Sequence, residues 1–197
     1  MLPERLFRIA NFRNMIELRE DILLIAEPFL KDENFMRTVI YICKHSDEGS
    51  FGFIVNRVYE HTLDELIAGL DGTTVPVFAG GPVQKDTIHF LHQYPDLIPG
   101  CYPVSADIYW GGDFETVKAL LCNNQLDMKK IKFFIGYSGW DKVQLESEMK
   151  ENSWLAATAT REIIFELPHN QVWKESIRHL GGKYRMMVNF PIDPQLN

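Results

Sequence analysis

The sequence predicts a single α/β domain built on a mixed, partly antiparallel sheet with flanking helices. Apolar segments rich in β-branched and aromatic residues alternate with segments that begin at helix-capping residues. The first three apolar segments follow one another too closely for parallel crossovers, which need about a dozen residues, so part of the sheet must be antiparallel. No internal repeat or long linker divides the chain, so one compact unit accounts for it.

Seven segments have the composition of strands and are bounded by Gly, Pro or Asp. They are residues 22–26, 38–43, 51–56, 75–79, 88–92, 131–135 and 163–167. Their spacing leaves room for helices between several of them, and this spacing favours an α/β architecture.

Four helices are predicted from their first residues. Thr62 and Glu65 form a capping box, in which the Thr62 hydroxyl accepts a hydrogen bond from a free backbone N–H and the Glu65 carboxylate accepts one from the backbone N–H of Thr62. Gly69 would end that helix. Three further helices begin at the capping residues Asp113, Asp141 and Asn170. They end at about residues 122, 150 and 179, respectively. Two glycines at 181 and 182 would stop the last of them.

The two ends of the chain differ from the central part. Apolar residues among charges over residues 1–20 predict a short amphipathic helix or a docked arm. Acidic residues interrupt its basic face, which argues against membrane binding. We therefore expect an arm over 1–20, a domain over 21–181 and a C-terminal extension over 182–197.

Composition limits the classes of function. The chain has 197 residues, enough to bury a core without disulfides or a structural metal. Its 20 basic and 27 acidic residues give a net charge of -7, which argues against direct nucleic-acid binding through the overall field. With no secretory signal pattern and no apolar run of about 18 residues, we expect a cytoplasmic protein without membrane association.

The cysteines indicate reduced thiols. Cys43, Cys101 and Cys122 are odd in number and widely spaced, so they do not form a disulfide framework, and no CxxC pair begins a zinc or redox motif. We expect no cofactor and no metal.

Four segments carry information beyond secondary structure. They are the strand-loop-strand segment 38–57, the turn Gly80-Gly81-Pro82-Val83, the stretch 109–113, and Gly136-Tyr137-Ser138-Gly139-Trp140 leading into Gln144, Leu145, Glu146 and Glu148 and then Trp154. In this order and spacing, over about residues 22–181, they resemble the YqgE/AlgH family of bacterial proteins. The resemblance implies a compact α/β domain whose mixed sheet bifurcates and curls into a pseudo-barrel flanked by helices. It implies no catalytic residues, because the family is largely uncharacterised and its transcriptional-regulator label comes from one branch.

The segment Gly136-Tyr137-Ser138-Gly139-Trp140 follows a predicted strand and precedes a predicted helix. Its glycines therefore predict a sharp turn with amides near a helix N-terminus, an arrangement that can hold an anion. It is not a P-loop, and Trp140 stands where a nucleophile elbow needs glycine. The alternative is a structural turn with Trp140 in the core, and Asp141 would compete with an anion for the same amides.

Gly80 and Gly81 predict a tight turn at a strand end before a proline. The turn is either architectural, or its amides form one side of a pocket shared with the 136–140 segment. The aromatic residues beside these glycines could make a stacking surface, although such residues more often fill a core. These residues are Tyr109, Trp110, Tyr137, Trp140 and Trp154.

Cys43 and His45 are the sharpest chemical candidates. In an extended strand they would point to the same side, about 6–7 Å apart, so that an imidazolium could favour a thiolate. The alternative is that Cys43, at the end of an apolar run, is buried as a small apolar residue. As a metal site the pair supplies only two ligands. Asn56 either caps its own turn or presents its amide to a ligand.

Two classes of function remain open. The first is a non-enzymatic regulatory or binding module that receives a small anionic ligand or a protein partner, with any regulation acting through the partner because no helix-turn-helix is present. The second is a cysteine-based enzyme or redox sensor centred on Cys43 and His45. The sequence assigns no catalytic residue and does not determine the oligomeric state. The candidate ligand-binding residues are Cys43, His45, Asn56, Gly80, Gly81, Gly136, Tyr137, Gly139 and Trp140.

Overall fold

A computed structural model describes residues 16–70, 72–182 and 184–189 of the chain. Within these ranges the strands are β1 (Ile22–Ala26), β2 (Val39–Ser46), β3 (Gly49–Ile54), β4 (Val58–Thr62), β5 (Pro76–Ala79), β6 (Val83–His92), β7 (Tyr102–Pro103), β8 (Tyr109–Trp110), β9 (Ile131–Trp140) and β10 (Trp154–Thr158). The helices are α1 (Leu63–Leu66), α2 (Phe114–Cys122), α3 (Lys142–Lys150), a π-helix (Glu162–Glu166), α4 (His169–Leu180) and α5 (Tyr184–Met187).

The strands form one mixed sheet that branches at β9. Its main path runs β10-β1-β2-β3-β9-β6-β8-β7, with β5 also paired to β9 and β4 paired to β5. Among the described pairs only β5 and β9 are parallel. The sheet is curled but does not close. The predicted α/β class with a partly antiparallel sheet is confirmed, as is the antiparallel order of the first three strands.

Apolar clusters lie on both faces of the sheet and beneath its helices. One cluster packs α4 and the π-helix against β1, β2 and β3, a second lies under α1 and α2, and a third packs α3 against the β1 and β2 side of the sheet. Two helix starts were predicted correctly: the Asp113 carboxylate accepts a hydrogen bond from Thr116 N at 2.9 Å, and that of Asp141 accepts one from Gln144 N at 2.8 Å.

Two predicted helix boundaries were wrong, and several strands were missed. The capping box at Thr62 is present, but its helix ends at Leu66, because Ile67 already has an extended backbone. Helix α4 begins at His169 after Pro168, rather than at Asn170, since proline is well suited to the start of a helix. Short strands β4, β7, β8 and β10 were not predicted at all.

The predicted turn at 136–140 is wrong, because this segment is the second half of strand β9. It stays extended because it pairs with two strands: Gly139 lies opposite Phe51 of β3 and Tyr137 opposite Val83 of β6. Gly136 has a φ of +66°, and a Cβ there would lie 2.7 Å from the Val83 carbonyl oxygen. Glycine thus permits a local kink where β9 passes from one set of partners to the other.

The predicted strand at 163–167 is wrong, because residues Glu162–Glu166 form a π-helix. Its isoleucines are buried, as they would be in a strand, so composition alone could not separate the two. The next residues explain the helical ending: Leu167 N bonds to the Glu162 carbonyl at 2.8 Å, and Pro168 has no N–H for the Ile164 carbonyl. That carbonyl instead accepts a hydrogen bond from Lys132 Nζ at 2.8 Å.

Most of the arm predicted over residues 1–20 lies outside the described residues. In the part of the chain that the structure describes, none of the helices has both the length and the apolar content needed to cross a bilayer.

Candidate functional site

An open crevice of about 580 Å³ lies at the surface where β3, β6, β8 and β9 come together. It is bordered by the β2–β3 hairpin on one side and by the start of β6 on the other. This volume falls in the range of small-molecule binding sites. We call this site the crevice.

Four half-buried aromatic side chains form the inner side of the crevice, here called the aromatic wall: Phe51, His89, Trp110 and Tyr137. The ring centres of Phe51 and Trp110 are 4.6 Å apart, and those of Phe51 and Tyr137 are 5.9 Å apart. His89 stands perpendicular to Tyr137 at 5.9 Å. The edge-to-face contacts fix the rings against one another while part of each remains exposed to the crevice.

A β-bulge determines which side chain of β2 faces this wall. The pairing of β2 with β3 shifts between Ile42 and Lys44, so Lys44 lies opposite Phe51. Directly opposite residues of an antiparallel pair share a face of the sheet. Lys44 therefore faces the crevice, while His45 lies opposite Ser50.

The charges around the crevice are few. Lys44 is exposed and forms no ion pair with any of the described residues. Two carboxylates, Glu48 and Asp141, also border the crevice, although the Asp141 carboxylate is used in capping α3. One cation beside two carboxylates can accept a single anionic group far better than several.

Two ring nitrogens of the aromatic wall have no hydrogen-bond partner among the described residues. They are His89 Nε2 and Trp110 Nε1, and both are shielded from solvent. Burial lowers the pKa of His89, so its imidazole is neutral near neutral pH and keeps one nitrogen as an acceptor. The wall thus holds an unpaired donor and a neutral imidazole side by side.

The backbone groups of Gly80, one of the glycines considered for an anion site, are used within the fold. Gly80 N donates to the Ile135 carbonyl at 2.9 Å, and the Gly80 carbonyl accepts from Ile54 N at 2.9 Å. A Cβ on Gly81 would lie 2.2 Å from the Tyr137 carbonyl carbon, and one on Gly80 would lie 2.4 Å from the Gly136 carbonyl oxygen. These glycines allow strands β5 and β9 and the β5–β6 turn to approach closely.

The structure gives no support to the cysteine-based alternative. Cys43 is fully buried beside Tyr41 and Phe53, and its thiol donates to the Tyr41 carbonyl with a distance of 3.7 Å. Burial raises the pKa of the Cys43 thiol well above its ordinary value, and Glu20 and Asp21 raise it further. A thiol in such surroundings is inert.

His45 and Asn56 do not line the crevice. His45 Nδ1 is 2.7 Å from Ser50 Oγ. Asn56 connects two strands, because its Oδ1 accepts a hydrogen bond from Val39 N and its Nδ2 donates to the Arg37 carbonyl, each at 2.9 Å. Among the residues that the structure describes, no group of three or more His, Cys, Asp or Glu side chains is placed to hold a metal ion.

Of the predicted site residues, Tyr137, Gly139 and Trp140 border the crevice. Trp140 is also largely in the core, where its indole N–H donates to Glu148 at 2.9 Å. The sequence did not single out Lys44, Phe51 or His89 as site residues. Trp110 and Tyr137 were among the glycine-flanked aromatics considered as a stacking surface, and that signal pointed to the aromatic wall.

Comparisons with known proteins identify the family. Residues 23–185 match the family described as AlgH-like. The UPF0301 protein of Chlorobium limicola is 43% identical over 181 residues, covering 92% of this chain and 97% of that protein. The UPF0301 protein of Cytophaga hutchinsonii is 38% identical over 176 residues, covering 89% and 97%.

Solved structures agree with the fold. The solution structure of the AlgH protein from Pseudomonas aeruginosa superimposes with a TM-score of 0.71 at 26% identity, covering 86% of this chain and 92% of that one. The crystal structure of a Corynebacterium diphtheriae protein gives 0.72 at 20% identity, covering 88% and 93%, and supports the fold alone. The family match, the sequence identity and the shared architecture together establish that the chain belongs to the AlgH-like family.

Proposed function

We propose that this protein is a non-enzymatic binding module whose crevice takes a small ligand that combines a planar ring with one anionic group. The observation that carries the proposal is the placement of Lys44 opposite Phe51, at the edge of the aromatic wall. That placement puts an ammonium group beside exposed ring surface in a concave site.

The aromatic wall supports the ring part of the proposal. Phe51, Trp110 and Tyr137 are each half-buried, so they offer apolar surface that a planar ligand can cover. Stacking of a ring on an aromatic side chain contributes about 1–3 kcal/mol and does not depend on a particular ring substituent. A planar ligand is therefore favoured over an extended aliphatic one.

The charges support the choice of a single anionic group. Lys44 attracts an anion, whereas Glu48 and Asp141 repel additional negative charge. The net charge of -7 acts in the same direction over longer distances. The same balance disfavours direct contact with DNA, so a regulatory role for this module would operate through a protein partner.

The test uses adenosine monophosphate as the probe, because it contains both features. We expect AMP to raise the melting temperature and to bind measurably by calorimetry, with adenosine and ribose 5-phosphate each binding more weakly and ATP binding no more tightly. Lys44→Ala should weaken AMP binding about tenfold, the loss of one charge-assisted contact. The matched control is Lys129→Ala, another exposed lysine, located in the turn before β9 and outside the crevice.

Two results would contradict the proposal. One is an AMP-independent melting temperature together with no heat of binding. The other is AMP binding that Lys44→Ala leaves unchanged, because the anion would then lie elsewhere.

A further inference from the structure

We propose that the ring of this ligand carries a hydrogen-bond donor next to an acceptor, as the edge of a nucleobase does, and that Trp110 and His89 bind that edge. The inference rests on the proposed function and names the ligand class more closely. It derives from the two unpaired ring nitrogens of the aromatic wall.

An unpaired buried polar group is unusual. The large majority of buried side-chain polar atoms in native proteins have a hydrogen-bond partner, and exceptions call for an explanation. Here two exceptions, Trp110 Nε1 and His89 Nε2, belong to neighbouring side chains that border the same crevice. Their proximity indicates one shared partner rather than two unrelated defects.

The sheet holds these two side chains together. Trp110 of β8 lies opposite Leu91 of β6, so His89, two residues before Leu91, is its diagonal neighbour on the same face. The ring centres of His89 and Trp110 are 6.2 Å apart. A flat molecule entering along the aromatic wall can therefore present one edge to both.

The chemistry of the two nitrogens specifies the edge. The Trp110 indole nitrogen can only donate a hydrogen bond, and a neutral imidazole can accept one. A donor beside an acceptor is complementary to a ligand edge with an acceptor beside a donor, such as N1 and the 6-amino group of adenine. A carboxylate would need two donors, and a plain aromatic ring would use neither nitrogen.

Access requires a small change in the wall, since both nitrogens are shielded from solvent. Strand β8 contains only Tyr109 and Trp110, and its pairing with β6 is limited to Leu91 and His92. The indole can rotate about its own side-chain bonds without breaking that pairing. The ligand then replaces ring-to-ring contacts with hydrogen bonds.

The experiment compares AMP with purine riboside 5′-monophosphate, which keeps the ring, the sugar, the phosphate and N1 but lacks the 6-amino donor. We expect AMP to bind about tenfold more tightly to the parent protein, the effect of one neutral hydrogen bond. His89→Phe should remove that difference, whereas Trp110→Phe should weaken both compounds alike. Tyr102→Phe is the control, because Tyr102 packs on Trp110 from outside the crevice.

The outcomes separate this inference from the proposed function. Equal affinity for AMP and the analogue, or a ratio unchanged by His89→Phe, overturns the donor–acceptor assignment while the binding module stands. Failure of both compounds to bind overturns the binding module as well. A further measurement needs no variant: the nitrogen resonance of His89 Nε2 should shift on addition of AMP and not on addition of the analogue.

Discussion

The ammonium nitrogen of Lys132 lies 4.0 Å from the ring centre of Phe78, inside the core. It also donates hydrogen bonds to the carbonyls of Val55 and Ile164, each at 2.8 Å. The two carbonyls and the ring face together match the three donors of an ammonium group. No carboxylate among the described residues shares the site, and burial lowers the pKa of Lys132 to about 7.

From the burial of Lys132 we predict that the free energy of unfolding depends on pH. Between about pH 7 and about pH 10.5 the amine is neutral in the folded protein and protonated in the unfolded chain. The unfolded state then binds more protons, so the free energy of unfolding rises with pH, by up to about 1.4 kcal/mol per pH unit. Chemical denaturation across that window measures the slope.

The comparison variant is Lys132→Met, which removes the titrating group. It also leaves the Val55 and Ile164 carbonyls without a donor, at a cost of about 1–3 kcal/mol for each. The difference in stability between parent and variant should therefore increase with pH, whereas the exposed Lys129→Met should follow the parent. Parallel curves for parent and Lys132→Met would show that Lys132 keeps its proton throughout.

Glu148 is predicted to stabilise the α3 side of the sheet. One of its oxygens accepts the indole N–H of Trp140 at 2.9 Å and that of Trp154 at 2.7 Å. Glu148→Ala should lower the free energy of unfolding by about 2–4 kcal/mol, because two buried donors lose a charged acceptor. Glu146→Ala, on the same helix, breaks only an exposed pair with Lys150 and should cost less than about 1 kcal/mol.

The measurement for this prediction is denaturant unfolding followed by tryptophan fluorescence. In Glu148→Ala the folded-state emission should also change, since the two indole nitrogens would be exposed to different surroundings. Equal stability of the Glu148 and Glu146 variants would contradict the assigned contacts.

Gly81→Ala is predicted to disturb both stability and binding. A Cβ at this position would lie 2.2 Å from the Tyr137 carbonyl carbon, so β9 would have to move at a residue of the aromatic wall. Gly100→Ala is the matched control: its φ of +75° is strained for alanine, but no atom lies within 4 Å of the added carbon. That strain costs about 1–2 kcal/mol.

We expect Gly81→Ala to destabilise the protein more than Gly100→Ala and to weaken AMP binding, which Gly100→Ala should leave unchanged. Thermal unfolding and calorimetry measure the two effects. A Gly81→Ala protein that melts and binds like the parent would mean that the β5–β6 turn is not packed on Tyr137.

The three thiols are predicted to react in order of exposure. Cys122 is exposed, Cys101 is half-buried and Cys43 is buried. A thiol reagent applied to the native protein should modify Cys122 first and leave Cys43 unmodified until the protein unfolds. Peptide mapping by mass spectrometry identifies the sites, and rapid modification of native Cys43 would revive the cysteine-based alternative.

The sequence predicted elements well where local chemistry decides the conformation. The carboxylates of Asp113 and Asp141 cap helices as expected, because an N-cap needs only a side chain and the next few amides. The prediction from sequence failed where residues distant in the chain determine the conformation. Ile163 and Ile164 are buried in a π-helix, whose last turn depends on Lys132 from strand β9.

The site was predictable only in part for the same reason. Tyr137 and Trp140 were found because they flank glycines, a local signal. Lys44 was missed because the face of β2 on which its side chain lies depends on a register shift between β2 and β3. Without that shift, the alternation of side chains along a strand would place His45, and not Lys44, on the face of Phe51. His89 has no local signal, since its importance comes from its contact with Trp110, which lies 21 residues later in the chain.

That register shift has a consequence for divergence within this fold. Loss of Cys43, the residue of β2 that has no partner in β3, would close the bulge and leave Lys44 opposite Phe51 and His45 opposite Ser50. The bulge instead lets two consecutive residues lie on one face of β2, with Cys43 in the core and Lys44 at the crevice. A deletion here would therefore alter the packing of the core while the cation kept its place beside the aromatic wall.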